Sequence, residues 1–135
     1  MSFEANKQLV QRFYDAIGRR EFTALHNMCH KDFVFYNQID SPYYGVDGLI
    51  ESEKKNFDAF ENYSFPIIHM VAEGDKVAAY MTFEGKNQIG PCVGAPPKGN
   101  HCRFSLMMLL TIADGKIIEK RAHFDAADIR RQLTV

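Results

Sequence analysis

The spacing of the apolar residues changes once along the chain, at Pro66, and this change limits the folds that the chain can adopt. Before Pro66, apolar side chains recur at helical spacing. This spacing predicts a helix from Ser2 to Gly18, a second short helix from Glu21, and a third that Asp47 caps. After Pro66, strand-length runs are bounded by turns. The predicted strands are residues 33–37 in the first half and residues 67–72, 77–83, 104–112 and 117–124 in the second.

Helices followed by antiparallel strands predict an α+β domain with the N-terminal helices packed on one face of the sheet. Asp114-Gly115 lies between the last two predicted strands and is the strongest short hairpin signal in the chain. Residues 41–45 are expected to form a loop. Residues 87–100 contain too many glycines and prolines for a continuous central strand. The third helix is expected to carry Leu49, Ile50, Phe57 and Phe60. A strongly bent antiparallel sheet covered by helices would enclose a pocket.

Length and composition restrict the class of protein. A chain of 135 residues supports one core, so residues 1–135 are expected to form a single domain. The net charge of −1, without basic clusters, argues against nucleic-acid binding. No apolar run approaches bilayer length, and no secretory signal is visible, so we expect no membrane partner. The three cysteines lack metal-ligand spacing and fit free thiols in the cytoplasm.

The last two predicted strands are apolar on much of both faces. One face can line the interior that the helices cover. The other would remain an exposed apolar patch unless a partner covered it. The sequence therefore predicts a homodimer through the outer face of the sheet.

Asp125 lies where the last predicted strand meets a short closing helix. A carboxylate there could cap the helix, since Asp is among the preferred N-cap residues. It could also face the cavity and move protons, because an apolar cavity raises the pKa of a carboxyl toward neutrality. Alternation along the strand would place Glu119, Arg121 and His123 on the same side as Asp125. That polar row would either line the site or form the solvated face.

Several short motifs carry a resemblance to a known family. They are Gly-Ala-Pro-Pro-Lys-Gly at residues 94–99, Asp-Gly-Lys-Ile-Ile-Glu at residues 114–119, Asp125 and Gln132-Leu133. In this order, over nearly the whole chain, they resemble the SnoaL-like polyketide cyclases of the nuclear transport factor 2-like superfamily. Lys98 stands where the family usually has Thr. Arg121 stands where it usually has Trp, which suggests a more polar site.

The resemblance implies a cone-shaped α+β barrel whose pocket binds a small, partly apolar carbonyl compound. In the cyclases, the acidic residue matching Asp125 is a general acid/base for aldol ring closure, without metal or cofactor. The implied catalytic residues are therefore Asp125 and His123, for aldol cyclisation, isomerisation or dehydration, with no cofactor and no metal. The five histidines likewise show no metal-ligand spacing. The candidate substrate contacts are Glu119, Arg121, Tyr14, His69 and Arg103.

The alternative is a non-catalytic module that uses the same cone to hold a ligand or to dimerise. The position of Asp125 separates the two. If its carboxylate accepts only backbone N–H bonds and faces solvent, the enzyme hypothesis fails in this form. A steroid isomerase is disfavoured, because Asn37 stands where that branch has an Asp base. An epoxide hydrolase would need two carboxylates bracketing an arginine, which Glu119, Arg121 and Asp125 offer only superficially.

Overall fold

Two helices begin the chain, a third lies between the second and third of seven strands, and a fourth follows the last strand. The structure is a computed structural model that describes residues 2–135. The helices are α1 (Phe3–Gly18), α2 (Leu25–Met28), α3 (Gly45–Asp58) and α4 (Ala126–Leu133), with a 3₁₀ turn at Phe22–Ala24. The strands are β1 (Cys29–Tyr36), β2 (Pro42–Tyr44), β3 (Phe60–Ser64), β4 (Ile67–Glu73), β5 (Lys76–Gln88), β6 (Cys102–Ala113) and β7 (Lys116–His123).

The first helix forms as its sequence predicts. The Ser2 hydroxyl accepts a hydrogen bond from the Ala5 amide at 3.1 Å, which satisfies one of the free N–H groups of the first turn. One face is buried, and it carries Leu9, Val10, Phe13, Tyr14, Ala16 and Ile17. No helix within residues 2–135 has the length and apolarity needed to cross a membrane.

The segment around the third helix differs from the prediction in three ways. The helix begins at Gly45 with Tyr44 as N-cap, so Asp47 lies in the first turn instead of capping. Carboxylates are favourable there because of the helix dipole. The expected loop at residues 41–45 contains β2. Phe60, expected on the helix, begins β3, which pairs with β5.

The sheet is mixed, and one parallel pair lies within it. The strand order is β2-β1-β7-β6-β5-β3, with β4 also paired to β5. All pairs are antiparallel except β1 with β7, where Phe35 lies opposite Lys120 and Tyr36 opposite Arg121. The α+β architecture with helices on one face of a curved sheet is therefore confirmed. The parallel pair is the difference from the predicted antiparallel sheet.

The hairpin between β6 and β7 determines which side chains face the interior. Asp114 and Gly115 have φ values of 54° and 72°, as its tight turn requires. The register shifts next to Ile112 and Ile117. Beyond this shift, Lys120 and Ala122 are buried beneath the helices, whereas His123 is exposed. On β6 the residues at 106, 108, 110 and 112 are buried, and Met107 and Leu109 face outward.

Candidate active site

A cavity of about 130 Å³ lies between the inner face of the sheet and α3. Phenylalanine rings form a large part of its wall and pack closely: the ring centres of Phe83 and Phe104 are 5.3 Å apart. The phenylalanines of the wall are at positions 35, 57, 60, 65, 83, 104 and 124. The polar lining residues are Asn37, Ser52, Glu53, Asn56 and Lys120. For scale, an apolar cavity of about 150 Å³ holds benzene. This cavity has room for a ring-sized group.

Lys120 projects into this cavity from β7. Its residue is 1% exposed. The parallel register brings it beside Phe35, and its Nζ lies 4.4 Å from the centre of that ring and 5.4 Å from that of Tyr14. Within residues 2–135, it forms no salt bridge. Burial lowers the pKa of the Lys120 ammonium group, an effect that Glu53 and then Cys29 oppose.

Glu53 faces the same cavity from α3. It is 5% exposed, and it lies one turn from Leu49 and one turn from Phe57, which are also buried. Burial raises the pKa of the Glu53 carboxyl, and the positive charge of Lys120 opposes this. Over the part of the chain described, no side chain is within salt-bridge distance of this carboxylate. The two buried ionisable groups therefore share one cavity without contacting each other.

Tyr14 lies behind Lys120 and does not line the cavity. Its hydroxyl is buried and has no hydrogen-bond partner within residues 2–135. Burial, and secondarily the charge of Glu53, raise the pKa of Tyr14 well above its ordinary value. Tyr14 thus contributes an aromatic ring to the surroundings of the Lys120 amine.

Asp125 is an N-cap residue. Its carboxylate accepts a hydrogen bond from the backbone N–H of Asp128 at 3.0 Å, and the residue is exposed. It is absent from the cavity lining. An Asp125 carboxylate that caps the helix and faces solvent meets the condition, stated above, under which the hypothesis of catalysis by Asp125 fails. The geometry gives the predicted catalytic role of Asp125 no support.

The polar row on β7 faces away from the cavity. Arg121 donates a hydrogen bond to Glu119 at 2.6 Å and covers the ring of Tyr36 at 4.0 Å, on the outer side of the sheet. His123 is exposed at the end of the strand. Alternation along β7 places Glu119, Arg121 and His123 on the same face, as expected. The expectation that this row lines the site needs correction, because the buried positions of β7 are those between them.

The remaining predicted contacts, His69 and Arg103, are also absent from the cavity lining. His69 is exposed on β4. Arg103 is exposed on β6, where its side chain is 3.6 Å from Glu84 and its backbone is bonded to the Gln132 side chain. Neither residue meets Lys120 or Glu53 in the cavity. Within residues 2–135, no group of three or more His, Cys, Asp or Glu side chains could hold a metal ion.

The sequence contained a signal for Glu53 that periodicity analysis missed. A charged residue midway between Leu49 and Phe57 at four-residue spacing falls on the apolar face of α3. Lys120 had no comparable signal. Its inward direction depends on the register shift at the start of β7 and on pairing with β1.

The model of the family of SnoaL-like polyketide cyclases matches residues 8–133. The chain belongs to the SnoaL-like polyketide cyclase family. Among curated proteins, none matches the sequence significantly. Solved structures do resemble this SnoaL-like chain throughout its length.

A SnoaL-like protein from Jannaschia sp. CCS1 is 22% identical, with a TM-score of 0.88 over 98% of this chain and 94% of that one. TsrD from Streptomyces laurentii is 26% identical, with a TM-score of 0.86 over 99% and 98%. An LEH-like epoxide hydrolase from M. tuberculosis is 20% identical, with a TM-score of 0.73 over 97% and 90%. These similarities confirm the cone-shaped fold that the sequence motifs implied.

Proposed function

We propose that this SnoaL-like protein binds a small, partly apolar carbonyl compound in its cavity and catalyses cofactor-free proton transfer on it. The observation that carries the proposal is the pair of buried ionisable groups, Glu53 and Lys120, on the walls of one aromatic cavity. Burying charged groups is unfavourable, so perturbed acids and bases in a pocket are candidates for function. Membership of the cyclase family supports the same class of chemistry.

In this proposal, Glu53 takes a proton from the carbon next to the carbonyl group. Its raised pKa makes it a stronger base than an exposed glutamate. Lys120 neutralises the negative charge that develops on the carbonyl oxygen, in a site where little water competes. Returning the proton elsewhere gives isomerisation, attack on a second carbonyl gives aldol cyclisation, and loss of a β-hydroxyl gives dehydration. Asp125 has no part in these steps.

Exchange of the α-protons of cyclohexanone in D₂O, followed by NMR, tests the proposal without knowledge of the natural substrate. We expect the wild type to accelerate exchange above the buffer rate. Glu53→Gln should reduce that acceleration at least about 100-fold, because the amide cannot act as a base. Glu51→Gln, which changes an exposed carboxylate on the same helix, is the matched control. A wild type no faster than buffer, or a fully active Glu53→Gln, contradicts the proposal.

We propose a second property, dimerisation through the outer face of the sheet. The supporting observation is a group of adjacent, partly exposed apolar residues on β5 and β6. Tyr80 and Met107 lie opposite each other and are 40% and 50% exposed, and Leu109, two residues further along β6, is 40% exposed. Covering such a patch is favourable. The three free cysteines fit a cytoplasmic location, which is proposed on that basis.

A further inference from the structure

Lys120 differs from the other lysines of the chain in its surroundings. Among residues 2–135 it is the one buried lysine. Its stem runs along the inner face of β7, and its Nζ lies over the rings of Phe35 and Tyr14. Lysine amines on a protein surface are held charged by water. Here aromatic carbon replaces most of that water.

The amine of Lys120 is also free to react. It makes no salt bridge within residues 2–135, and Glu53 lines the same cavity from α3. A desolvated lysine of this kind is the usual amine nucleophile toward carbonyl groups. The lowered pKa of Lys120 agrees with this geometry, since only the neutral amine attacks a carbonyl carbon.

We infer that Lys120 forms a Schiff base with the carbonyl carbon of the compound bound in the cavity. The inference rests on the proposed function and changes the role of the lysine in it. The positive charge that assists removal of the proton is then on the iminium nitrogen, and no longer on a free ammonium group beside the carbonyl oxygen. A Schiff base restricts the substrates to aldehydes and ketones, because esters and carboxylates do not form imines. It also requires the carbonyl group to enter the cavity between β7 and α3.

The step balances without an external reagent. The neutral amine adds to the carbonyl carbon, a C–N bond forms, and the oxygen becomes the hydroxyl of a carbinolamine. Protonation of that hydroxyl lets it leave as water, and a C=N bond replaces the C=O bond. Glu53, which lines the same cavity from α3, is the group that can deliver this proton when it is in its acid form. The resulting iminium carries the positive charge that makes the neighbouring C–H more acidic.

The test uses acetylacetone, a 1,3-diketone that is small enough for the cavity. Condensation with a reactive lysine gives an enaminone and releases water, with no reductant. We expect the intact mass to rise by one acetylacetone minus one water, with a new near-ultraviolet absorption band. Peptide mapping should place the adduct on Lys120. An exposed lysine with a pKa of about 10.4 is only about 0.1% neutral near pH 7.4, so Lys120 should react at least about tenfold faster.

Two variants complete the experiment. Lys120→Met keeps an unbranched apolar side chain at this position, but this variant should form no adduct and show no new absorption band. Lys98→Met removes an exposed lysine in the loop after Val93 and should react like the wild type. If Lys120→Met does not fold, peptide mapping of the wild-type adduct tests the inference alone, because it identifies the lysine that has reacted. Adducts spread over exposed lysines, or no adduct at all, overturn the inference.

The cyclohexanone assay separates this inference from the proposed function. A wild type that accelerates proton exchange, yet gives no acetylacetone adduct on Lys120, refutes the Schiff base and leaves proton transfer by Glu53 in place. Formation of the adduct without acceleration of exchange would support the reactive lysine and refute the proposed proton-transfer reaction.

Discussion

Glu53 and Lys120 are the residues on which the account of function depends. Each one alone would be a costly buried charge. No salt bridge joins them, so neither is satisfied by the other as in a structural ion pair. This distinguishes them from Glu119 and Arg121, a half-buried pair on the outer side of the sheet whose members contact each other directly.

At Asp125 we predict an effect on stability and none on the reaction. Asp125→Ala removes the cap of α4 and should lower the free energy of unfolding by about 1 kcal/mol. Asp125→Asn can still accept the hydrogen bond from Asp128 and should be near wild type. Urea denaturation measures both. If the free energy of unfolding fell no further in Asp125→Ala than in Asp125→Asn, the cap would be shown to be unimportant.

The pKa of Lys120 predicts how stability depends on pH. In the unfolded chain this lysine keeps its proton up to about pH 10. In the folded chain burial lowers its pKa, so the proton is released at lower pH. Above the folded pKa the unfolded state therefore binds more protons, and stability rises with pH. Raising the pH from neutrality toward 10 should stabilise the wild type relative to Lys120→Met. Urea denaturation across that range measures this, and a constant difference would contradict the assigned burial.

Among the elements, β5 supports the aromatic wall through a close approach at Gly85. A Cβ added there would lie 2.6 Å from the ring of Phe60, which lines the cavity. Gly85→Ala should therefore displace that ring and destabilise the fold by about 1–3 kcal/mol. Gly18→Ala is the matched control, because nothing lies within 4 Å of its added Cβ. Thermal unfolding measures both, and equal melting temperatures for the two variants would refute the close approach.

The elements also show what the sequence could and could not predict. Helical spacing was enough for α1, and Asp114-Gly115 was enough for the last hairpin. Alternation correctly grouped Glu119, Arg121 and His123. It could not say which face of the sheet they occupy, because that depends on the register shift near Ile117 and on the parallel pairing with β1. Both are long-range features, and the position of Lys120 depends on them.

At the scale of the whole molecule, the cone has two apolar surfaces, and only the inner one is covered by helices. If the outer one mediates dimerisation, Leu109→Glu should convert the dimer to a monomer, because a carboxylate would be buried against the partner. Ile39→Glu, which alters an apolar residue that is 68% exposed in another region, is the control. Light scattering at micromolar concentration measures both. A monomeric wild type would refute the dimer.

We expect the reactive carboxylate of this SnoaL-like protein to lie inside the cone, at Glu53, and not at the junction between β7 and α4. The cyclohexanone exchange assay, applied to Glu53→Gln and Asp125→Asn after both are shown to be folded, distinguishes the two positions. We expect the acceleration of exchange to fall at least about 100-fold in Glu53→Gln and to be unchanged in Asp125→Asn. Loss of activity in Asp125→Asn, with Glu53→Gln unaffected, would contradict this expectation.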